Sequence, residues 1–381
     1  MTSVAGAGLP VVVLFGGPSA EHDVSIVSGT AIAQGLVAAG LSVRRVLIDL
    51  DGAWWWLPPD ATDAGRPAAD YDDPVALGAE GPYSAGAAVD RLAARVPRPA
   101  VFVALHGPFG EDGTVQALLE SADLAYTGAG VTASAVGMDK AVFKRLARGL
   151  GLPVVDWREV PAAAWATDPD PVLAELAAFA AETGDERLMV KPARLGSSVG
   201  MTLAHRAGER SGALATAFAH DSLAIVERYL DHPRELEVGV LGNDPAVLEV
   251  FGPGEVFPGR EFYDYAAKYT DPTSRVTVRA ELPAALGERI RELALAAYRA
   301  IGGEGLARVD FLAPRSDGPE AVYLSEINTI PGFTPISLFP QLAVAAGHPF
   351  PELCATIVRL GLERHAARVR RHLGPADLPR A

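Results

Sequence analysis

Two short segments in the last third of the chain carry side chains suited to a divalent cation. Arg308 and Asp310 stand two residues apart in ARVDF, and Glu326 and Asn328 stand two apart in SEINTIPGF. In a strand, residues i and i+2 point to the same face, so each segment shows its polar pair on one side. A hairpin turn centred near Gly318 would set Asp310 opposite Glu326 and Arg308 opposite Asn328. Two carboxylates at cross-strand distance repel unless a cation or a proton lies between them. Hard oxygen donors of this kind suit Mg²⁺, which takes one or two carboxylates and fills its other positions with water and phosphate oxygens. A solvated outer strand with alternating charges has the same spacing. The Pro331-Gly332 turn, which closes the strand end as a rim, favours a metal–nucleotide site.

A second segment, LMVKPARLGSSVGM, ends an apolar run at Lys191 and follows it with Gly196-Ser197-Ser198-Val199-Gly200. Flexible glycines let backbone N–H groups approach phosphate oxygens, and the hydroxyls of Ser197 and Ser198 are further donors. An ordinary Gly-Ser turn between strands looks the same. No Gly-Lys dipeptide occurs in the chain, so this is not a Walker A loop. Of 33 basic residues only Lys140, Lys144, Lys191 and Lys268 are lysine. A lysine kept in so arginine-rich a chain suits a place that needs a compact point charge.

Three smaller clusters carry possible chemistry. GGPSAEHDVS puts Glu21 near a helix start, where the dipole tolerates an anion and plain capping is the simpler use. LHGPFGEDGT sets His106 just after a strand, at the edge where ligands gather in open α/β sheets, although a lone histidine there is more often structural. YDYAAKYTD brings Lys268 and Tyr269 into a surface loop, and such loops can close over a site.

The elements that must position these residues follow from the pattern. Residues 11–15 form a β-branched run ending in Gly16-Gly17-Pro18, and a helical period begins near Asp23, the opening unit of an α/β layer. Residues 43–50 and 100–105 supply further strands. Between them, residues 51–97 contain WWWLPPD and much Gly, Pro, Asp and Ala, and read as an irregular insertion. A helix is predicted over 141–149, with a boundary at Gly151-Leu152-Pro153. Strands are predicted over 188–191, 224–227 and 235–241, with an alanine-rich helix near 171–182. Residues 251–283, with their Gly-Pro pairs, read as loop. A helix over 284–300 leads to strands at 306–312 and 321–327, and the C-terminal segment reads as helical with an arginine-rich exposed end.

Composition narrows the class. The chain has 381 residues, 49% hydrophobic and 21% charged, which suits a globular protein of two or three domains. A net charge of −14 argues against a nucleic-acid surface, which needs clustered positive charge. A single cysteine, Cys354, allows no intrachain disulfide, the first basic residue is Arg44, and no apolar run is long enough for a membrane span. A cytoplasmic protein with no nucleic-acid and no membrane partner is the expectation. A dehydrogenase reading fails because GGPSAE lacks the G-x-G-x-x-G spacing.

Taken together, FGGPSAEHDVS, ALHGPFGEDGTVQALLE, MDKAVFKRL, VKPARLGSSVGM, FYDYAAKYTD, ARVDF and EINTIPGFTPISLFP occur in this order over residues 15–340. The whole resembles the D-alanine–D-alanine ligases of the ATP-grasp superfamily. The resemblance implies an α/β (α+β) fold, a Rossmann-like domain over 1–133 followed by a two-part ATP-grasp fold, with a lid domain over 134–228 and a C-terminal domain over 229–381. It implies ATP and two Mg²⁺ (or Mn²⁺) as cofactors, two molecules of D-alanine as substrates, and a homodimer. Lys140, Lys191 and Ser198 would meet the phosphates, with Lys268 on the γ-phosphate, and Glu227 and Glu235 would hold the adenosine end. Asp310, Glu326 and Asn328 would bind the metals. Glu21 would take the ammonium of the first alanine beside His106, while Ser337 and Leu338 would bind the carboxylate of the second. Arg308 and the Gly332 N–H would stabilise the tetrahedral oxyanion, and Ser197 and Tyr269 would link with Glu21 to latch the loop. The Lys268-Tyr269 pair favours an amine over D-lactate as second substrate and leaves D-serine less firmly excluded. A nucleotide-binding sensor without turnover would be expected to have lost metal ligands, whereas Asp310, Glu326 and Asn328 all remain.

Overall fold

The structure is a computed structural model that describes residues 9–59, 66–257, 275–314, 318, 321–334 and 336–370, with backbone alone at 369 and 370. Fifteen strands among these residues build three sheets. The first comprises β1 (Val11–Gly16), β2 (Val43–Ile48), β3 (Trp54–Trp56), β4 (Glu80–Tyr83), β5 (Ala100–Val103) and β6 (Ala125–Tyr126), in the order β4-β3-β2-β1-β5-β6. β1 pairs in parallel with β2 and β5, and all its residues are buried, as a central strand covered on both faces requires. Alternation decides which side each residue serves. Val11, Val13 and Phe15 pack with Ile26, Leu36 and Ile357, whereas Val12 and Leu14 pack with Val89, Leu92, Val115 and Leu119.

Residues 51–97 depart from the irregular insertion expected of them. They supply β3, β4 and the helix Ala85–Ala93, so the sheet gains two antiparallel edge strands. Trp54, Trp55 and Trp56 are all buried, and Asp49 closes the turn by accepting from the N–H groups of Asp51 and Ala53 and from Trp55 Nε1. The Gly and Pro content suggested loop. Three adjacent indoles offer enough apolar area to seat a strand regardless.

The second sheet is antiparallel: β7 (Trp157–Pro161), β8 (Leu188–Pro192), β9 (Thr202–Ala204) and β10 (Leu223–Arg228), in the order β7-β10-β8-β9. Helices Pro169–Thr183 and Arg210–Phe218 cover one face through Leu176, Phe179, Leu214 and Ala217. The third sheet, β11 (Arg234–Leu241), β12 (Glu249–Phe257), β13 (Arg275–Thr277), β14 (Leu306–Ala313) and β15 (Tyr323–Asn328), runs β13-β12-β11-β14-β15. Helix Ala284–Ala300 packs on it with Ile290, Ala294 and Tyr298.

β13 and all but the first two residues of β12 fall inside the stretch 251–283 read as loop. The glycines there serve close packing: a Cβ on Gly254 would lie 2.8 Å from the Thr277 carbonyl oxygen and 3.1 Å from Leu342 of the helix Leu338–Ala345. The last helix, Phe350–Arg370, returns to the first sheet, and of its basic residues Arg364 and Arg368 are only partly exposed, while residues 371–381 of the predicted basic end lie outside the described residues. Arg364 lies with its guanidinium carbon 3.9 Å from the Tyr126 ring centroid and donates to the Tyr126 hydroxyl at 3.0 Å. Among the described residues no helix is long and apolar enough to cross a membrane.

Candidate active site

The hairpin β14–β15 has the register expected from the sequence: Asp310 faces Glu326 and Arg308 faces Asn328. β11 adds a third strand to the same patch, because Glu237 lies opposite Asp310 on its other side. A row of carboxylates, Glu237, Asp310 and Glu326, thus crosses three strands. Arg308 relieves their repulsion. Its Nε and a terminal nitrogen donate to the two oxygens of Asp310 at 2.7 Å each, and its Nε lies 3.2 Å from Glu237. Burial disfavours the guanidinium charge, but Asp310 and Glu237 outweigh it and hold Arg308 well above its ordinary pKa. Asn328 donates to Asp310 at 3.0 Å, and Lys140 Nζ stands 3.5 Å from Glu326. Among the described residues no three His, Cys, Asp or Glu side chains form a complete metal cage. Two carboxylates and an amide fit Mg²⁺, whose remaining positions phosphates and water can fill.

Beside this row, Lys191 closes β8 and Glu227 sits on β10. The Glu227 carboxylate is clasped by two ammoniums, Lys191 at 2.6 Å and Lys144 at 2.6 Å. Burial alone would push Glu227 up, yet the two lysines overcome it and hold the carboxyl at about 2. Burial likewise opposes the Lys191 charge, and Glu227 outweighs that to raise it. Lys140, at the start of helix Lys140–Gly149, donates to the Leu195 carbonyl at 2.7 Å, tying the helix to the glycine loop.

In that loop Ser197 and Ser198 have φ of 49° and 58°, a left-handed backbone that non-glycine residues adopt at a cost and that concentrates at ligand sites. The Ser197 hydroxyl donates to Oε1 of Glu21, 176 positions away in the chain. Glu21 precedes helix His22–Ala38 but makes no side-chain cap bond, so simple capping is not its use. Its Oε2 is buried and has no hydrogen-bond partner among the described residues. Two glycines make room for it: a Cβ on Gly107 or on Gly196 would stand 2.6 Å from that oxygen. A buried carboxylate oxygen without a donor is a place for a cation.

His106 is buried with both ring nitrogens engaged, Nδ1 3.0 Å from the Ile330 carbonyl and Nε2 2.9 Å from the Ser28 hydroxyl. Burial lowers its pKa, which favours the neutral ring. Glu111 is buried nearby and accepts from the N–H groups of Gly107 at 2.8 Å and Ile330 at 3.3 Å. Ser337 precedes helix Leu338–Ala345 and accepts from the Thr334 N–H at 3.1 Å, so the helix N-terminus opens beside Gly332.

These groups line two connected spaces. A cavity of about 640 Å³ holds Glu21, His106, Arg308, Asn328, Gly332, Ser337 and Leu338 in its wall. A second, of about 140 Å³ between the second and third sheets, is lined by Lys191, Ser198, Glu227, Glu235 and Asp310. Lys140, Gly196, Ser197, Glu237, Arg308 and Glu326 line both, so the two spaces meet at the carboxylate row. Lys268 and Tyr269 lie outside the described residues.

The family model described as D-ala D-ala ligase N-terminus matches residues 10–129, and that described as D-ala D-ala ligase C-terminus matches residues 146–359. The chain belongs to the D-alanine–D-alanine ligase family. It is 38% identical over 369 residues to the D-alanine–D-alanine ligase of Chlorobaculum tepidum, covering 93% of this chain and 97% of that one. It is 40% identical over 356 residues to the ligase of Deinococcus radiodurans, covering 93% and 98%. The solved D-alanine–D-alanine ligase of Coxiella burnetii superposes with a TM-score of 0.76 at 30% identity, over 95% and 96% of the chains. VanG D-Ala:D-Ser ligase from Enterococcus faecalis gives 0.77 at 28% identity, over 93% and 99%.

Glu237 and Glu111 of this ligase escape a reading of its sequence for site residues, and Lys144, singled out there as one of four lysines, is given no role in the site. Lys144 falls one helical turn after Lys140, and Glu237 falls two strand positions after Glu235, so period alone could have found both. Glu111 stands in a loop, where no period applies, and only its burial singles it out.

Proposed function

We propose that this ligase joins two molecules of D-alanine into D-alanyl-D-alanine, a peptidoglycan precursor, with ATP cleaved to ADP and phosphate. The observation that carries the reading is the junction, at Arg308 and the carboxylate row, of the larger cavity with the narrow lysine- and serine-lined slot between the second and third sheets. A carboxylate oxygen of the first D-alanine attacks the γ-phosphorus, the bond to the ADP oxygen breaks, and an acylphosphate forms. The amine of the second D-alanine then adds to the acyl carbon. The tetrahedral oxyanion collapses, phosphate leaves with the former carboxylate oxygen, and the nitrogen loses a proton.

The chain's own groups position and neutralise. Glu21 takes the first ammonium, for which its unpartnered buried Oε2 is support. Lys140, Lys191, Ser198 and Lys268 meet the phosphates, and Glu227 and Glu235 face the adenosine end. Arg308 and the Gly332 N–H stabilise the oxyanion. The N-terminus of helix Leu338–Ala345 at Ser337 and Leu338 receives the second carboxylate. Ser197, Tyr269 and Glu21 latch the loop, which keeps water from the acylphosphate. Asp310, Glu326 and Asn328 would hold two Mg²⁺ (or Mn²⁺), which supply charge neutralisation for the phosphates when bound.

Domains over 1–133, 134–228 and 229–381 belong to the same proposal, supported by sheets whose strands come from residues 11–126, 157–228 and 234–328. A homodimer completes it, to be checked by light scattering on the eluting protein. The deciding assay is phosphate release from ATP with D-alanine or L-alanine, with and without Mg²⁺, and mass analysis of the product. D-alanine and Mg²⁺ dependence with dipeptide product is expected. Turnover with L-alanine, or dominant D-lactate or D-serine product when these compete with D-alanine at neutral pH, would overturn it.

A further inference from the structure

The turn that carries Gly332 is held from the first sheet by hydrogen bonds at both of its ends. On the near side, the Ile330 N–H donates to Oε1 of Glu111 at 3.3 Å, and the Ile330 carbonyl faces His106 Nδ1 at 3.0 Å. On the far side, the Phe333 N–H donates to the Ser28 hydroxyl at 3.3 Å. The two ends are joined, because Ser28 Oγ lies 2.9 Å from His106 Nε2. A carbonyl can only accept, so Nδ1 is the donor there. In the neutral ring Nε2 then accepts the Ser28 proton, which leaves the Ser28 oxygen to receive Phe333. Glu111 anchors the other end of the chain, with Oε2 receiving the Gly107 N–H at 2.8 Å in the loop directly after His106. Each N–H and O–H named here finds an acceptor in one consistent direction. Ser28, His106 and Glu111 are all buried at the cavity wall, where their bonds lie away from bulk water.

We infer that Ser28 and Glu111 are positioning residues, which fix the Ile330–Phe333 backbone so that the Gly332 N–H points at the oxyanion. Neither was expected to take part in chemistry, and neither supplies a charge to the reacting atoms in this role. An oxyanion donor acts through preorganisation: a turn free to tilt still admits the substrate but stabilises the tetrahedral state less. The inference rests on the proposed reading of Gly332. It extends that reading to residues that hold a peptide in place.

The test compares wild type with Ser28→Ala and Glu111→Ala. Three quantities are measured: dipeptide formation, acylphosphate captured as D-alanine hydroxamate after rapid quench, and binding of a phosphinate dipeptide whose tetrahedral centre mimics the oxyanion. In both variants dipeptide formation is expected to fall ~10- to 100-fold. Captured acylphosphate rises, the phosphinate binds more weakly by a similar factor, and KM for ATP stays within about threefold. If captured acylphosphate or phosphinate affinity stays at the wild-type value, the positioning role is overturned, because a general loss of structure moves neither selectively. Should Glu111→Ala fail to fold, Ser28→Ala decides by the same measurements. A wild-type enzyme that forms no dipeptide from D-alanine would instead defeat the functional reading itself.

Discussion

Lys144 Nζ lies 2.6 Å from Oε1 of Glu227, with the two side chains 1% and 6% exposed. Lys144 also donates to the Val155 carbonyl at 3.1 Å and sits 5.3 Å from the Trp157 ring centroid. It lines neither cavity and acts on the second through Val155 and through Glu227, whose other oxygen holds Lys191. Removing one partner of a buried pair leaves the other charge poorly compensated, typically at ~3–5 kcal/mol. Because Lys191 remains, Lys144→Met is expected to lose about 3 kcal/mol in urea unfolding, the low end of that range. It should also raise KM for ATP more than KM for D-alanine. A stability change near zero would mean that Lys191 neutralises Glu227 unaided.

Burial first, and the nearby Glu21 carboxylate second, push Glu111 up to about 8 from 4.5. Between these two values the folded protein holds a proton that the unfolded chain has released. Stability from this group is therefore full below pH 4.5 and declines as pH rises towards 8. Thermal unfolding followed from pH 5 to 9 should show the decline in wild type and a flatter curve in Glu111→Gln, which cannot ionise. Parallel curves would show that Glu111 titrates near its ordinary value.

Asp310 accepts both arms of Arg308 and an N–H of Asn328, so its charge organises the row in addition to the metal-holding part proposed for it. Asp310→Asn is expected to lower kcat by ~10²–10³-fold and to raise the Mg²⁺ concentration for half-maximal rate. Arg308 keeps Glu237 as a partner, so the fold should survive, as circular dichroism would record. Unaltered Mg²⁺ dependence would remove Asp310 from the metal set.

Gly107 has φ of 74°, and a Cβ there would meet Oε2 of Glu21 at 2.6 Å. Gly107→Ala therefore carries a backbone cost of roughly 1–2 kcal/mol and displaces the carboxylate. KM for D-alanine at the first site is expected to rise at least about tenfold, since the lost contact is made equally in ground and transition states. KM for ATP should hold steady. Equal increases in both would place Glu21 somewhere other than the first-substrate pocket.

Period and turn chemistry make much of this protein legible in its sequence. The strand pair carrying Arg308, Asp310, Glu326 and Asn328 follows from two-residue spacing and a turn near Gly318, and its register is the one observed. Residue types mark the Gly196–Gly200 loop only ambiguously, because an ordinary turn uses the same glycines and serines, and the left-handed backbone of Ser197 and Ser198 sets it apart in the fold. Local pattern fails where packing overrides it. The tryptophans of β3 and the glycines of β12 read as loop, yet buried area in one case and close approach of a helix in the other make them strands.

What tertiary structure alone decided is which distant groups share one charge environment. Glu21 meets Ser197 across 176 positions, Glu227 lies between Lys144 and Lys191, and Glu111 and Ser28 reach 219 and 305 positions to hold the turn around Gly332. Spacing along a chain reports which face a side chain takes within its own element. Burial, and the company that makes burial of a charge tolerable, arise only when elements far apart in sequence close on one another.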